Sequence, residues 1–517
     1  MYEEYDFGKF KPYDHQLTTL EESAGKEYWA WFLEMGCGKS YICIHNFVLA
    51  YKKGWIDRVV IVAPKGVYMN WVHNEIPKYM PEDMDYVVEN WDSAKMAGKA
   101  WQHKMAKFLN EDKPRLRILV VNPECFRVVR KRDADSLAYI RSFVKAGKAF
   151  ISVDESTVIK SVKAGRTKCI VDIGELCEMR RIMSGYPNPE SPLDFVGQCF
   201  FLSPSTFSLP RSLSAAYYAF RARYAIVEKQ FMGNRSFDKI AGYQRLGELS
   251  SRLSKFSTRI KKRDCLDLPP KIYRQHVVTL SPKQRRAYNE MVADCVTTIR
   301  HQEEEHTITA EIVLTQIIRL QQILCGFTKS PDGDIIPVDP DIIPREEGLM
   351  SDLRRAKGKK VIIWSHFRES IRRIEALVIA EYGADSVACW TGGMKDQTKV
   401  DITAEFQDPD SKLLYIIAQQ RAGGWGNTWT AATENAFYSN EYSAETRIQA
   451  EDRTHRIGQE ESVGYTDFLV PGTVDEAILN DHIRKRALGD SVLEGEARLS
   501  DTNIKDTWLS LFKPIAD

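Results

Sequence analysis

Ten cysteines are scattered through the chain (Cys37, Cys43, Cys125, Cys169, Cys177, Cys199, Cys265, Cys295, Cys325 and Cys389), yet none forms a C-x-x-C pair. No Cys/His group has zinc spacing either, which argues against a zinc module or a disulfide scaffold. The cysteines read as reduced small hydrophobes suited to a reducing cytoplasm. Long apolar runs are also missing, so no segment predicts a membrane span. The opening Met1-Tyr2-Glu3-Glu4-Tyr5-Asp6 has no apolar signal core. The expectation is a soluble, cytoplasmic protein. Charge of one sign is absent as well: 72 Lys and Arg stand against 71 Asp and Glu, a net charge of +1. Any nucleic-acid surface must therefore be a local basic patch and not a global field.

What is there begins with 517 residues, 43% hydrophobic and 28% charged. That is an ordinary globular composition with length for about two to four domains. The chain is organised around Leu33-Glu34-Met35-Gly36-Cys37-Gly38-Lys39-Ser40. An aromatic run, Tyr28-Trp29-Ala30-Trp31-Phe32, precedes it and reads as a buried strand. Tyr41 to Tyr51 follows with apolar residues at helical spacing, stopped by Gly54. Strand, glycine loop, Lys-Ser and helix form the context of a phosphate-binding loop. Glycines let backbone N–H groups turn around a phosphate, and the helix N-terminus adds positive dipole. Lys39 suits the β/γ-phosphates and Ser40 suits a magnesium ion. Leu33 stands where the usual pattern begins with Gly. The competing interpretation of the octet is a Gly-rich turn before an ordinary helix.

Upstream, Gln16 lies in Lys11-Pro12-Tyr13-Asp14-His15-Gln16. Its amide can both donate to and accept from an adenine edge, although a solvent-facing Gln is the default for a first helix. Downstream, Arg58 to Ala63, Ile118 to Val121 and Ala149 to Val153 are β-branched runs of the buried parallel type. They alternate with helical lengths such as Asn70 to Met80 and Ala94 to Leu109, which predicts an open parallel sheet. Ligands of such sheets sit at the carboxyl ends of the strands. There the third run ends in Asp154-Glu155. The first carboxylate suits magnesium, and the second suits activation of a water. An acidic cap pair is the alternative for an isolated Asp-Glu.

From Leu193 to Ile260 the chain reads mostly helical, with Tyr217, Tyr218, Arg221, Arg223 and Tyr224 interleaved. Nucleic-acid contact and a packing face with a solvated side fit this pattern equally. Arg259 to Arg263, followed by Leu268-Pro269-Pro270-Lys271, reads as a hinge. Ser281 to Leu324 reads as helical with a break at Glu303-Glu304-Glu305, and Pro331 to Asp334 as a turn. A second parallel sheet is then predicted from Val361 to Trp364, Ser386 to Trp390, Leu413 to Ile417 and Tyr465 to Val470. No phosphate loop accompanies it. Arg453 and Arg456 are spaced to share a helix face, where they could act as arginine fingers. Spacing alone favours a solvated basic stripe paired with Glu451 and Asp452.

Taken in order, these motifs resemble those of the Swi/Snf-type ATPases of helicase superfamily two, in the compact forms of bacterial and phage genomes. The resemblance runs from about Lys11 to Gly472. Gln16 matches the glutamine motif, Glu34 to Ser40 the D-E-M-G-x-G-K-T/S loop, and Val62-Ala63-Pro64 motif Ia. Asp154-Glu155-Ser156 matches motif II, and Ser184-Gly185 with Ser191 to Asp194 matches motif III. Ala422-Gly423-Gly424-x-Gly426 matches motif V. Gln449 to Gln459, with His455-Arg456-Ile457-Gly458-Gln459 intact, matches motif VI.

The resemblance implies an α/β fold of two RecA-like parallel-sheet lobes with helical insertions and an ATP site in the interlobe cleft. The lobes are expected at 1–267, with a helical insertion at about 200–260, and at 268–517, with a helical segment at about 281–327. It implies ATP and Mg2+ as cofactors. Nucleotide contacts are implied for Gln16, Met35, Gly36, Cys37, Gly38, Lys39, Ser40, Asp154, Gly424 and Gln449. Metal contacts are implied for Ser40 and Asp154, and catalysis for Glu155, Arg453 and Arg456. The partner implied is DNA, duplex before single-stranded, and the setting a bacterial cytoplasm if the chain is phage-encoded. Three positions depart from the family: Tyr186 for Thr in motif III, and Trp425 and Thr428 in and after motif V. They touch the coupling of ATP to DNA, so a nucleotide-gated clamp on DNA or protein with weak hydrolysis is the alternative. A metabolic kinase would leave the second lobe and the HRIGQ string unexplained.

Overall fold

The computed structural model describes residues 1–110, 113–127, 131–232, 235–304, 310–330, 332–424, 427–494 and 514–515. Trp425, Gly426, Glu305 and Pro331 lie outside the described residues. The described residues divide into two compact units. The first draws on Met1–Ile226, Tyr243–Asp267 and Ala487–Leu499, the second on Val227–Gly242, Leu268–Arg486 and Ser500–Asp517.

In the first unit the strands are β1 (Tyr28–Leu33), β2 (Arg58–Val62), β3 (Tyr86–Asn90), β4 (Leu116–Val121), β5 (Ala149–Asp154) and β6 (Met179–Met183). A two-stranded sheet of β7 (Ala225–Met232) and β8 (Arg235–Tyr243), most of it belonging to the second unit, comes next in sequence, and β9 (Ser257–Ile260) completes the first unit's strands. Seven of these form one sheet in the order β3-β4-β2-β5-β6-β1-β9, and every pairing in it is parallel. β2, β4 and β5 are buried at every residue, as strands covered on both faces must be. Two helices matter most for the site: α1 (Asp14–Ser23) and α2 (Lys39–Lys52).

The second unit holds β10 (Lys271–Val277), the small pair β11 (Phe327–Lys329) and β12 (Ile335–Pro337), then β13 (Lys360–Ser365), β14 (Val387–Trp390), β15 (Tyr415–Gln419), β16 (Ala432–Phe437) and β17 (Val463–Leu469). Its six-stranded sheet runs β10-β17-β16-β13-β15-β14, again parallel throughout. Side chains alternate between two cores. Ile363, Ile417 and Phe468 enter one, while Ile362, Trp364, Ile416 and Tyr465 enter the other, the period-2 signature of a strand.

Several sequence expectations are corrected. The mostly helical stretch from Leu193 to Ile260 is interrupted by the two-stranded β7–β8 sheet and by β9. The stretch that reads as a hinge divides: Arg259 and Ile260 belong to β9, which pairs Leu33 with Ile260, and the boundary between the two units falls at Asp267/Leu268, just before the Pro pair. Lys271 opens β10 directly after the Pro pair. The helical length from Asn70 to Met80 is short α-helix, then a π-helical turn over Trp71–Glu75, then Ile76–Tyr79. Ser281 to Leu324, by contrast, is helical as expected, in Pro282–Glu304 and Ala310–Leu324. Among the described residues no helix is long and apolar enough to cross a membrane.

Candidate nucleotide site and arginine pair

β1 delivers the chain to the loop Glu34–Gly38 at the carboxyl edge of the first sheet. Gly36 (φ +89°) and Gly38 (φ +86°) adopt left-handed backbone, which a side chain makes costly. The Cys37 N–H closes the turn on Glu34 O at 3.2 Å. Lys39 opens α2, and its Nζ donates to Leu33 O at 3.1 Å, so the ammonium folds back over the loop. Met35, Gly36 and Ser40 are half-buried and Cys37 is buried. From α1, His15 Nε2 donates to Cys37 O at 3.2 Å. Gln16 is buried, not solvent-facing. Its Oε1 accepts the Tyr13 N–H at 3.0 Å, and its Nε2 lies where a Cβ on Gly38 would be. The glutamine and the loop are thus in contact.

β6 lies between β1 and β5, with Asp154 level with Met183 and Met183 level with Trp31. The register brings the carboxylate pair to the same edge as the loop. Asp154 Oδ1 accepts the Glu155 N–H at 3.0 Å, and Oδ2 accepts the Trp71 indole N–H at 3.0 Å. Burial pushes the Asp154 carboxyl up, while the Trp71 bond, the Lys39 charge and the Glu155 N–H pull it down. Glu155 has left-handed backbone, φ +47° and ψ +67°. For a residue with a Cβ this costs on the order of 1–3 kcal/mol, a strain found where a side chain must be aimed. Ser184, at the end of β6, donates to Glu155 Oε2 at 3.4 Å and accepts the Tyr186 N–H at 3.1 Å. Motif III therefore reaches the carboxylate directly. Asp194 in its tail accepts the N–H groups of Glu190 and Ser191, and burial pushes its carboxyl up to about 6.

The residues after Tyr186 and the run from Arg259 shore up this edge. Arg259 Nη1 donates to Phe32 O and to Gly185 O, both at 3.1 Å, and its Nη2 lies 3.8 Å from Glu34. Glu34 Oε2 accepts the Lys262 N–H at 3.0 Å. The Tyr186 ring, at the departure from the family pattern, packs over Gly489, where a Cβ would meet it at 2.8 Å. Helix Leu213–Tyr224 buries Ala216, Phe220 and Tyr224 and leaves Tyr218 exposed beneath the Arg221 guanidinium. One face packs, and the other keeps the basic-aromatic character.

In the second unit Arg453 and Arg456 lie beyond helix Ala444–Glu451, not on it. The shared-helix expectation is corrected, yet the pair still converges: Arg453 Nη1 and Arg456 Nη1 each donate to Asn427 O at 3.1 Å. Arg453 is buried and its Nε donates to Gln449 O at 2.9 Å, so it is not part of a solvated stripe. Gly424 sits against Gln449, whose Cβ would be 3.5 Å from a Cβ at 424. Motifs V and VI thus meet. Glu451 is buried and takes Lys271, Tyr273, Arg447 and Arg486. His455 bonds Pro269 O at 2.8 Å, and Gln459 Nε2 donates to the carbonyls of Thr430, Ala432 and Thr454. These two members of the HRIGQ string pin the loop in place.

Residues 32–328 match the model of the SNF2-related domain, and residues 345–458 match that of the helicase conserved C-terminal domain. The chain belongs to the SNF2-related family. Similar curated proteins include the mouse DNA annealing helicase and endonuclease ZRANB3 (Mus musculus), 24% identical over 92% of this chain and 40% of that protein. Another is the zebrafish (Danio rerio) DNA repair and recombination protein RAD54-like, 22% identical over 90% of this chain and 63% of that one. The chain thus spans about two-fifths of the length of the ZRANB3 relatives. A Sulfolobus solfataricus SWI2/SNF2 ATPase core in complex with dsDNA is similar at 19% identity and TM-score 0.38, covering 96% of this chain and 98% of that one. The SNF2-related match contains the loop and both carboxylates. The helicase match contains Gly424, Gln449, Arg453 and Arg456, and Gln16 precedes both.

The donor set of the SNF2-related unit fits a nucleotide with magnesium. The loop supplies N–H groups and an ammonium, Ser40 a hydroxyl, and Asp154 a carboxylate held between fixed donors. Oxygen ligands with one or two carboxylates are what magnesium takes beside phosphates. Among the described residues no group of three or more His, Cys, Asp or Glu could hold a metal ion by itself. Trp71, which donates to Asp154, was not legible as a site residue. Its only signal was a Trp in the helical stretch after Val62-Ala63-Pro64.

Proposed function

We propose that the chain is a DNA-dependent ATPase motor of the Swi/Snf type. ATP hydrolysis is coupled to movement on, or remodelling of, DNA, duplex before single-stranded, in recombination, repair or replication in the cytoplasm, a bacterial one if the chain is phage-encoded. One observation carries this reading. The left-handed glycine loop with Lys39 and Ser40, and the Asp154–Glu155 pair, share the carboxyl edge of one parallel sheet across β5-β6-β1.

In this reading the N–H groups from Met35 to Ser40 cradle the phosphates, with Gly36, Cys37 and Gly38 shaping the turn, and Lys39 neutralises their charge. Ser40 and Asp154 would hold a magnesium ion, which would supply further charge neutralisation on the phosphate oxygens. Glu155, oriented by Ser184, takes the proton of the attacking water. Arg453 and Arg456 bring positive charge to the transferring phosphoryl group. Gln16, Gly424 and Gln449 contact the nucleotide. The printed names of the relatives support DNA as the track, and contacts to its phosphates make binding sequence-independent and salt-sensitive.

The test separates binding from turnover. Glu155→Gln is expected to retain ATP binding and lose about a hundredfold or more of hydrolysis, whereas Lys39→Ala loses binding. Wild-type protein that binds ATP and never hydrolyses it would replace the motor with the nucleotide-gated clamp.

A further inference from the structure

Between β2 and β3 the helix widens into a π turn over Trp71–Glu75, closed by the Ile76 N–H on Trp71 O. Pro77 explains the widening. It has no N–H to offer the carbonyl of His73, and its ring would crowd that carbonyl in an α-helix. A π turn re-aims the side chains around it, and such turns are frequent at functional sites. Here it aims Trp71. The buried Trp71 donates its indole N–H to Asp154 Oδ2 at 3.0 Å. Glu75 accepts Asn70 Nδ2 at 3.0 Å. With Trp71 on Oδ2 and the Glu155 N–H on Oδ1, the Asp154 carboxylate has one orientation left. A carboxylate fixed by donors of this kind is stronger and better placed than a free rotor.

We infer that the π turn is the positioning arm of the cation end of the nucleotide site: Trp71 fixes Asp154. This rests on the nucleotide-site reading above. Trp71 is not a ligand; it acts through the carboxylate it holds. The role is specific to the magnesium-dependent part of binding, because the loop N–H groups and Lys39 grip phosphate without it.

The experiment measures the affinity of the purified full chain for a fluorescent ATP analogue by anisotropy, in magnesium and in EDTA, beside a thermal melt. Wild type gains affinity from magnesium. Trp71→Phe keeps the EDTA affinity and loses about tenfold of the magnesium gain, the usual cost of removing a group behind a metal ligand. Trp71→Phe with a wild-type magnesium gain, whatever its melting temperature, overturns the inference. Affinity lost equally in EDTA overturns it too, since the turn would then be structural. A wild type with no ATP binding in either buffer would instead sink the nucleotide-site reading itself.

Discussion

Replacing Gly38 with Ala perturbs the loop at two separable points. The first is conformational: Gly38 holds φ +86° as the residue before α2, and a left-handed residue with a Cβ costs about 1–2 kcal/mol. The second is steric. The new Cβ lands on Gln16 Nε2, so the glutamine must rotate and release the Tyr13 N–H it accepts at 3.0 Å. A lost hydrogen bond of that kind costs about 1 kcal/mol. The expected total is about 2–3 kcal/mol, read as a lower urea midpoint for the unit that contains the loop. Gln16→Ala removes the obstacle in advance. On that background Gly38→Ala should cost only the conformational part, leaving a coupling of about 1 kcal/mol in the double-mutant cycle. Strict additivity would refute the contact between the glutamine and the loop.

In the second unit Arg447 donates to both oxygens of Asp467 and to Glu451 Oε1, all buried. Arg447→Met leaves the buried Asp467 carboxylate without its cation, while Glu451 keeps Lys271 and Arg486, and should lower the stability of that unit by about 3–5 kcal/mol, measured by urea unfolding. Acid sensitivity should begin above the carboxylate range. Burial holds His45 and His482 down at about 4, against an ordinary value of 6.5. Between those values the unfolded chain binds protons that the folded chain does not. Stability should therefore fall as pH drops from 6.5 to 4, by about 1.4 kcal/mol per pH unit for each histidine, and this contribution should level off below 4. The urea midpoint measured across that range checks the slope, and His482→Leu should remove the second unit's share.

The parts legible in the sequence were those whose local pattern matches their environment. Val59 to Val62, Ile118 to Val121 and Ile362 to Trp364 are continuous apolar runs because both faces of their strands are covered. The glycine loop and the Asp154-Glu155 pair carry their chemistry in adjacent residues. Strands that rely on distant partners were illegible. β16 reads Ala-Thr-Glu-Asn-Ala-Phe, and its Asn435 is buried only because it bonds Trp364 and Thr454. β3 is half-buried at every residue, and β10 is an exposed edge, so neither shows a clean period. Arg259 looked like a hinge residue because the carbonyls that take its guanidinium, Phe32 and Gly185, are remote in sequence. The π turn escaped notice because the carboxylate that Trp71 contacts, Asp154, is likewise far along the chain.

The central claim is tested most directly by steady-state ATP hydrolysis with no polymer, single-stranded DNA, duplex DNA and duplex RNA, each at two salt concentrations beside a Lys39→Ala control. The account predicts strong stimulation by duplex DNA, weakened by salt and absent in the control. A basal rate that no DNA alters would contradict it.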